Sequence, residues 1–427
     1  MFGIIINGAR GLTAMTPPSH LLSDEKGGDF GFESRRVHMA SCKSIYDPQE
    51  DSTMLERWVR LYAQGKVLDI GTGSGIQAIA AAQSPRVKSV LATDIQKGVI
   101  DYCRKCIKNK KIKFLASGLF ENIKKNEKFD MIIFNPPYLP QELKLKDLTL
   151  EGGKKGYEII QKFINEVNEF LSKDGIVLMV FSSLTKKEKV EEFIRNNLLE
   201  FESLEKMHIF FEDIHVYLLK KSEFLKKLEN KGLINVKYFA KGHRGVLFTG
   251  NYRNKKVAVK SKNPKSAAFG RIENEAKWLK KLNKYCIGPE LLFSEDYYFV
   301  YKYIYGDFII DYIKKSNKIK IKKILKNIFR QLFDLDKLKI DKEEMHRPVK
   351  HIIISKQKPY LIDFERAHYA QSPKNITQFC QFLISEKMNY LLENKGIKIG
   401  KSTIIGMAKV YKKNINNRNF NNIIGSI

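Results

Sequence analysis

From about residue 40 to 221, short apolar runs alternate with stretches of helical period. KVLDI (66–70), SVLATDI (89–95), KFDMIIFN (128–135), GIVLMVFS (175–182) and DIHVYLLK (213–220) read as strands, and amphipathic segments separate most of them. That alternation predicts an α/β fold with a doubly wound, Rossmann-like sheet. IFF near 210 is too close to HVYLLK for a crossover helix, so the last pair is expected as an antiparallel hairpin at the sheet edge. SEFLKKLENKGL (222–233) predicts a short amphipathic helix, after which VKYFAKG, VLFTGNY and KKVAVKS follow in quick succession. They read as a three-strand antiparallel meander opening a second, α+β domain. Beyond about 372 the pattern turns helical and then Asn-rich (NINNRNFNNII), a stretch expected to fray.

The expected organisation is therefore an N-terminal extension (1–38), a first domain (39–221), a linker helix (222–235), a second domain (236–371) and a helical, basic, Asn-rich tail (372–427). Residues 1–38 hold a single lysine, Lys26, and no sustained period. They read as an over-extended start ahead of Met39, in preference to a disordered functional arm.

Composition agrees with two packed cores: 43% of the 427 residues are hydrophobic and 11% aromatic, which excludes wholesale disorder and fibrous architectures. IVLMVF (176–181), among the longest apolar runs, falls far short of the roughly 18 residues a membrane helix needs. Five cysteines without a regular framework, and no basic-then-apolar leader, predict a soluble cytoplasmic protein without a disulfide scaffold. The formal charge of +29 attracts polyanions. Lysine is spread almost everywhere after residue 100, however, so net charge by itself names no partner. One run stands out: Lys314, Lys315, Lys318, Lys320, Lys322, Lys323, Lys326 and Arg330, without an acid among them. A solvated helix face is the plain reading, and a ribosomal RNA or tRNA contact the sharper one.

KVLDI runs straight into GTGSG, placing Asp69, Gly71, Gly73 and Gly75 on a turn that opens a helix. Glycines there let the backbone approach a ligand closely. A nicotinamide fold would want a third glycine where Ile76 stands; the acid followed by G-x-G-x-G suits S-adenosylmethionine, whose cationic amino-acid end needs an acidic neighbour. Asp94, at the end of the next strand, is placed to accept the ribose hydroxyls. Asn135, Pro136, Pro137 and Tyr138 follow KFDMIIF, where prolines stop the strand and project the Asn from its carboxyl end. The Asn135 and Pro136 carbonyls suit the two hydrogens of a planar NH2 group, and Tyr138 suits its flat face. Cys103 and Cys106 form a lone C-x-x-C on a predicted helix; zinc needs four ligands, so two half-buried cysteines are expected.

These motifs resemble the HemK-type glutamine methyltransferases, most of all the archaeal and eukaryotic branch that modifies the Gly-Gly-Gln loop of peptide release factors. The resemblance covers about 45–220 and rests on YDPQEDSTML (46–55), DIGTGSG, TDI, FNPPYLP (134–140) and EGGKKG (151–156). It implies a class I methyltransferase fold, Glu50, Asp51 and Ser52 near the cofactor and acceptor, a release factor as substrate, and a small zinc-binding activator protein as partner. Gly118, in SGLF, departs from the family's acid, which puts a contact to the cofactor's adenine amino group in doubt. NPPY alone is shared with adenine N6 methyltransferases.

In the second domain AKGHRGVLFTG (240–250) carries Gly242 and Gly245 on a turn able to fold over phosphates. VAVK ends at Lys260, the helical RIENEAKWLKKLN offers Glu275 to pair with it, and LIDFERA places Asp363 where Mg²⁺ would be held beside ATP. The set resembles small atypical archaeal kinases akin to the RIO and KEOPS-associated kinases, over about 236–370. Its catalytic loop departs sharply: EMHRPVKH (344–351) puts His346 at the position of the catalytic Asp and His351 at that of the metal-binding Asn, with Glu344 the acid that could replace the first. Three classes of function follow: a protein glutamine N5 methyltransferase in the lead, an N6-adenine DNA or RNA methyltransferase second, and a chain whose kinase-like half only binds or positions.

Overall fold

The computed structural model describes residues 49–137, 156–209, 211–242, 245–262 and 271–427. Tyr138, most of EGGKKG and the HR of the second glycine turn lie outside the described residues.

The first half runs α1 (Glu50–Tyr62), β1 (Gly65–Ile70), α2 (Ile76–Gln83), β2 (Val87–Asp94), α3 (Lys97–Cys106), β3 (Ile112–Ala116), β4 (Phe129–Phe134), α4 (Glu158–Val167), β5 (Leu171–Ser182), α5 (Lys187–Asn196), β6 (Leu199–Ile209) and β7 (Glu212–Lys221). Its seven strands lie in the order β3-β2-β1-β4-β5-β7-β6. β1 to β5 pair in parallel, and β7 joins β5 and β6 antiparallel. Alternate residues of each central strand feed separate cores. Leu68, Ile70, Ile132 and Phe134 pack under α4 and α5, whereas Val67, Met131 and Ile133 pack under α1 and α2. A sheet covered on both faces explains why its strands read as continuous apolar runs. β3 was not among the expected strands: IKFLA is short and only Ile112 in it is fully buried, so its pattern is weak.

The second half continues through α6 (Glu223–Asn230), β8 (Leu233–Lys241), β9 (Gly245–Tyr252), β10 (Lys255–Lys262), α7 (Arg271–Leu282), β11 (Leu291–Glu295) and β12 (Tyr298–Lys302). These strands form an antiparallel sheet ordered β11-β12-β10-β9-β8. The expected meander is present as β8-β9-β10, extended by β12 and β11. After β13 (Asp307–Phe308) come α8 (Ile309–Lys315), α9 (Lys318–Lys337), β14 (Ile340–Asp341), β15 (Ile352–Ser355), β16 (Lys358–Leu361), β17 (His368–Tyr369), α10 (Asn375–Leu383), α11 (Glu386–Glu393), α12 (Lys401–Lys413) and α13 (Asn417–Gly425).

α9 is the spine of this helical part, burying Ile321, Ile324, Leu325, Ile328, Phe329, Leu332 and Phe333 at helical spacing. The lysines of the basic run fall on its other side: Lys318, Lys320, Lys323 and Arg330 are exposed. The Asn-rich tail does not fray. Asn416 caps α13 by accepting from the Asn419 N–H at 2.9 Å, and Phe420 stacks on Phe333 with centroids 4.1 Å apart. Among the described residues no helix is long and apolar enough to cross a membrane.

Candidate functional site

Parallel pairing sets Ile70 beside both Thr93 and Phe134. The residues that follow, Gly71, Asp94 and Asn135, therefore emerge level with one another at the carboxyl edge of β1, β2 and β4. Strand order reverses between β1 and β4, the place where open α/β sheets bind ligands. The turn between β1 and α2 is built on left-handed glycines, with φ +69° at Gly71, +52° at Gly73 and +83° at Gly75. A Cβ at Gly75 would also press on Ile107 Cδ1, so a side chain there would have to displace the end of that isoleucine.

Asp69 is buried behind this turn and accepts the Thr72 hydroxyl at 2.6 Å. Burial, with a smaller contribution from Asp94, raises its pKa to about 7 against the lowering effect of Thr72 and the Ala78 N–H. Asp94 accepts the backbone N–H of Gly73 at 3.1 Å and of Gln96 at 2.9 Å, and burial raises its pKa as well. Asp51 and Ser52, buried in the first turn of α1, face the same place, whereas Glu50 is exposed. The Asn135 Nδ2 donates to Asp51 Oδ2 at 3.1 Å and to Ser52 Oγ at 3.2 Å. Because the Asp51 carboxylate accepts, the amide is turned with Nδ2 toward it, and the buried Oδ1 is left without a hydrogen-bond partner among the described residues. Pro136 is buried and Pro137 half-buried behind it.

Three buried side-chain atoms here have no hydrogen-bond partner among the described residues: Asn135 Oδ1, Ser74 Oγ and Gln77 Oε1. Buried polar atoms are rarely left unpaired, so their gathering beside a glycine turn marks a place that a polar ligand completes. S-adenosylmethionine fits this donor set. Gln77 was not foreseen; its Nε2 donates to the Ser52 carbonyl at 2.8 Å and ties α1 to α2, which no spacing rule in the sequence announces. The cysteine pair also differs from expectation. Cys103 is buried, with Sγ 3.3 Å from the Gly73 carbonyl, while Cys106 is exposed, and no group of residues suited to a metal ion is found among the described residues. At Gly118 a Cβ would stand 3.1 Å from Glu121 Oε2, so a carboxylate from three residues on occupies the neighbourhood of the missing acid.

A second cluster gathers Lys260 of β10, Glu275 of α7 and Asp363, which follows β16. Lys260 Nζ lies 2.5 Å from Glu275 Oε2 and 3.2 Å from Asp363 Oδ1. Burial works against the Lys260 charge, yet Glu275 and Asp363 outweigh it and hold its pKa above the ordinary value. Asp363 is held below its own, since Lys260, Lys342 and His351 outweigh its burial. Gly245 stands beside this lysine: the Gly242 N–H donates to the Gly245 carbonyl at 2.8 Å, and a Cβ on Gly245 would stand 3.5 Å from Lys260 Cε. Glu344 and His351 meet at 3.5 Å, and Arg366 lies 3.1 Å from the other Glu344 oxygen. Lys342 went unnoticed in the sequence. It is buried, donates to the Asp363 carbonyl at 2.9 Å, and has its pKa lowered to about 8 by burial against the pull of Asp363, Glu275 and Glu344.

The family described as Methyltransferase small domain matches residues 49–211. A "Putative protein N5-glutamine methyltransferase" of Methanocaldococcus jannaschii is 34% identical over 179 residues, which cover 40% of this chain and 89% of that relative. This chain belongs to that methyltransferase family. It is an S-adenosylmethionine-dependent methyltransferase with a class I sheet. A release factor glutamine methyltransferase of Rhodopirellula baltica is 32% identical over 132 residues, 28% of this chain; the match spans 45% of that relative's length. Among solved structures, the Mtq2-Trm112 complex of E. cuniculi, responsible for methylation of the termination factor eRF1, aligns with 42% of this chain and 99% of that one, at 22% identity and a TM-score of 0.35. The residues matched by the family end at 211, ahead of the second sheet, which begins with Leu233.

Proposed function

We propose that the first half transfers a methyl group to the side-chain nitrogen of a protein glutamine, and that the acceptor is the Gly-Gly-Gln loop of a peptide release factor. The observation that carries this reading is the orphaned Asn135 Oδ1, aimed by Asp51 and Ser52. A carbonyl with no partner at the end of β4 wants an N–H donor, and a glutamine amide brings two. Asn135 Oδ1 accepts one and the Pro136 carbonyl the other, which turns the nitrogen lone pair toward the cleft. No base is required beforehand, and catalysis is positioning. When bound, S-adenosylmethionine supplies an electrophilic methyl group. Gly71, Gly73 and Gly75 give its amino-acid end access to the backbone, Asp69 balances its ammonium, Asp94 takes the ribose hydroxyls, and Glu121 stands in for the acid absent at Gly118. A small zinc-binding activator protein belongs to this proposal as partner. The test offers labelled cofactor to the protein beside a release factor, DNA and tRNA. Label on the release-factor glutamine, lost in Asn135→Ala, supports the assignment; label on adenine moves it to the N6-adenine reading.

For the second half we propose an atypical kinase-like nucleotide site, supported by the Lys260–Glu275 pair, by Asp363 beside it and by Gly245 next to Lys260. Lys260 would meet the ATP phosphates. Asp363 would hold Mg²⁺ together with phosphate oxygens, an arrangement that suits this ion because it needs few protein ligands. His351, an imidazole in place of an amide oxygen, is a poor magnesium ligand and is assigned no metal. ATP binding by calorimetry that vanishes in Lys260→Ala supports this site. Its absence in the wild-type chain would leave the half as a binding or scaffolding module.

A further inference from the structure

A cleft of about 600 Å³ opens beside Glu344, lined among others by His346, Arg347, His351, Arg366 and Lys374. Its floor is strained and firmly held. Glu343 and Glu344 are successive non-glycine residues in the left-handed region, at φ +62° and +60°. The turn is fixed because the Glu343 N–H donates to Asp341 Oδ1, the Met345 N–H donates to Gln378 Oε1, both at 3.0 Å, and the Met345 side chain is fully buried. Such strain persists only where the surroundings impose it, and it concentrates where a side chain must be aimed. Lys342, at the start of the same turn, reaches the Asp363 carbonyl, so the cleft adjoins the Lys260–Asp363 cluster.

The acids in this wall are all engaged, Glu344 itself being held by Arg366 at 3.1 Å and His351 at 3.5 Å. Asp341 accepts two backbone N–H groups, from Glu343 and Lys374, and Glu343 lies 3.5 Å from His368 and 4.0 Å from Arg366. Arg347 and Lys374 are exposed, line the cleft and have no carboxylate partner among the described residues. Deeper in, His351 Nδ1 and Arg366 Nε are buried without a hydrogen-bond partner among the described residues. An occupant that completes this wall must bring an anion to Arg347 and Lys374, hydrogen-bond partners to His351 and Arg366, and something for Glu344 to act on. The volume is that of a pocket for a small molecule.

We infer that this cleft is the acceptor site of the second half, and that its substrate is a small phosphate-bearing alcohol, such as a sugar phosphate or nucleotide, rather than a protein hydroxyl. The inference rests on the nucleotide reading of the Lys260 cluster. The existing phosphate of the acceptor sits on Arg347 and Lys374, and its hydroxyl points at Glu344. In the transfer the acceptor O–H bond breaks with its proton passing to Glu344, and the oxygen bonds to the γ-phosphorus of ATP. The bond from that phosphorus to the β-bridging oxygen breaks with its electron pair leaving on ADP, and Glu344 then returns its proton to water.

The test incubates the full chain with labelled ATP and Mg²⁺ and, in separate arms, ribose 5-phosphate, glycerol 3-phosphate, AMP, the matching ribose, glycerol and adenosine, and a serine-rich peptide. Transfer is expected to at least one phosphate-bearing acceptor, at least 10-fold faster than to its dephosphorylated partner. Glu344→Gln should abolish it. Arg347→Ala with Lys374→Ala, both at exposed positions, should raise the acceptor KM at least 10-fold with kcat changed less than threefold. Absent transfer to every phosphate-bearing acceptor, equal transfer to the dephosphorylated ones, or preference for the peptide each overturns the inference. If calorimetry finds ATP bound all the same, the nucleotide reading survives; if ATP does not bind, both fall together.

Discussion

The two polar clusters of this chain, one at the carboxyl ends of β1, β2 and β4 and one around Lys260, are built in opposite ways. In the methyltransferase half the residues come from the ends of three neighbouring parallel strands and the turn and helix beside them, and three buried atoms, Asn135 Oδ1, Ser74 Oγ and Gln77 Oε1, have no partner among the described residues. In the second half Lys260, Glu275 and Asp363 come from segments spread over a hundred residues and satisfy one another through ion pairs of 2.5 and 3.2 Å. The first site sets unpaired amide and hydroxyl oxygens beside Asp69 and Asp94, whereas the second holds its charges in mutual check. On the proposed reading, a ligand at the first would fill unused hydrogen bonds, while a phosphate at the second would compete with two carboxylates for one lysine.

Crossed substitutions test that contrast most severely. Asn135→Ala is expected to lower methyl transfer by at least ~10², the usual worth of a positioned group, while calorimetry shows cofactor binding retained. Lys260→Ala should leave methyl transfer within a factor of about two. A large drop in methyl transfer in Lys260→Ala would show that the two sites work as one.

Lys342 gives a pH-dependent difference. Its folded pKa of about 8 lies below the unfolded value, so between about pH 8 and 10.5 the unfolded chain binds more protons and stability rises with pH. The cost of burying the charge is fully present below pH 8. Its relief over that interval amounts to roughly 3 kcal/mol. Chemical denaturation of wild type and Lys342→Met at pH 8 and 9.5 should show the rise in the first and a flatter profile in the second.

Cofactor affinity divides Asp94 from Asp69. Asp94→Ala should weaken S-adenosylmethionine by about 1.5 to 3 kcal/mol at neutral pH and above, the range for hydrogen bonds to a charged group. Asp69 titrates near 7 and meets a cation best when ionised, so wild-type affinity should climb by roughly tenfold from pH 5.5 to 7. Asp69→Asn should bind more weakly and lose that climb. A flat wild-type profile would remove Asp69 from contact with the ammonium.

The smallest effect is expected on the exposed face of α9. Replacing Lys318, Lys320 and Lys323 with glutamine should shift stability by no more than about 0.5 kcal/mol each. If that face meets RNA, the slope of binding against salt should flatten by about one for each phosphate that a lysine no longer neutralises. An unchanged slope would leave the run as a solvated surface.

The sequence by itself determined the parallel sheet, its glycine turn, the acids at the ends of β1 and β2 and the Asn-Pro-Pro after β4. Each of these follows from local chain chemistry: apolar runs long enough for a strand, a glycine where φ is positive, and a proline where a ladder stops. It also marked Lys260, Glu275 and Asp363, by kind and by order. Only the tertiary structure decided how those residues are used. That Asp51 and Ser52 turn the Asn135 amide, that Gln77 locks α1 to α2, and that Lys342 is buried beneath Asp363 all depend on contacts between segments whose sequence separation carries no period. The tail makes the same point. Its asparagines read as loop, yet Asn416 caps a helix whose Phe420 stacks on Phe333 and whose Ile423 is buried in the same core, packing that the tail's own propensity does not announce.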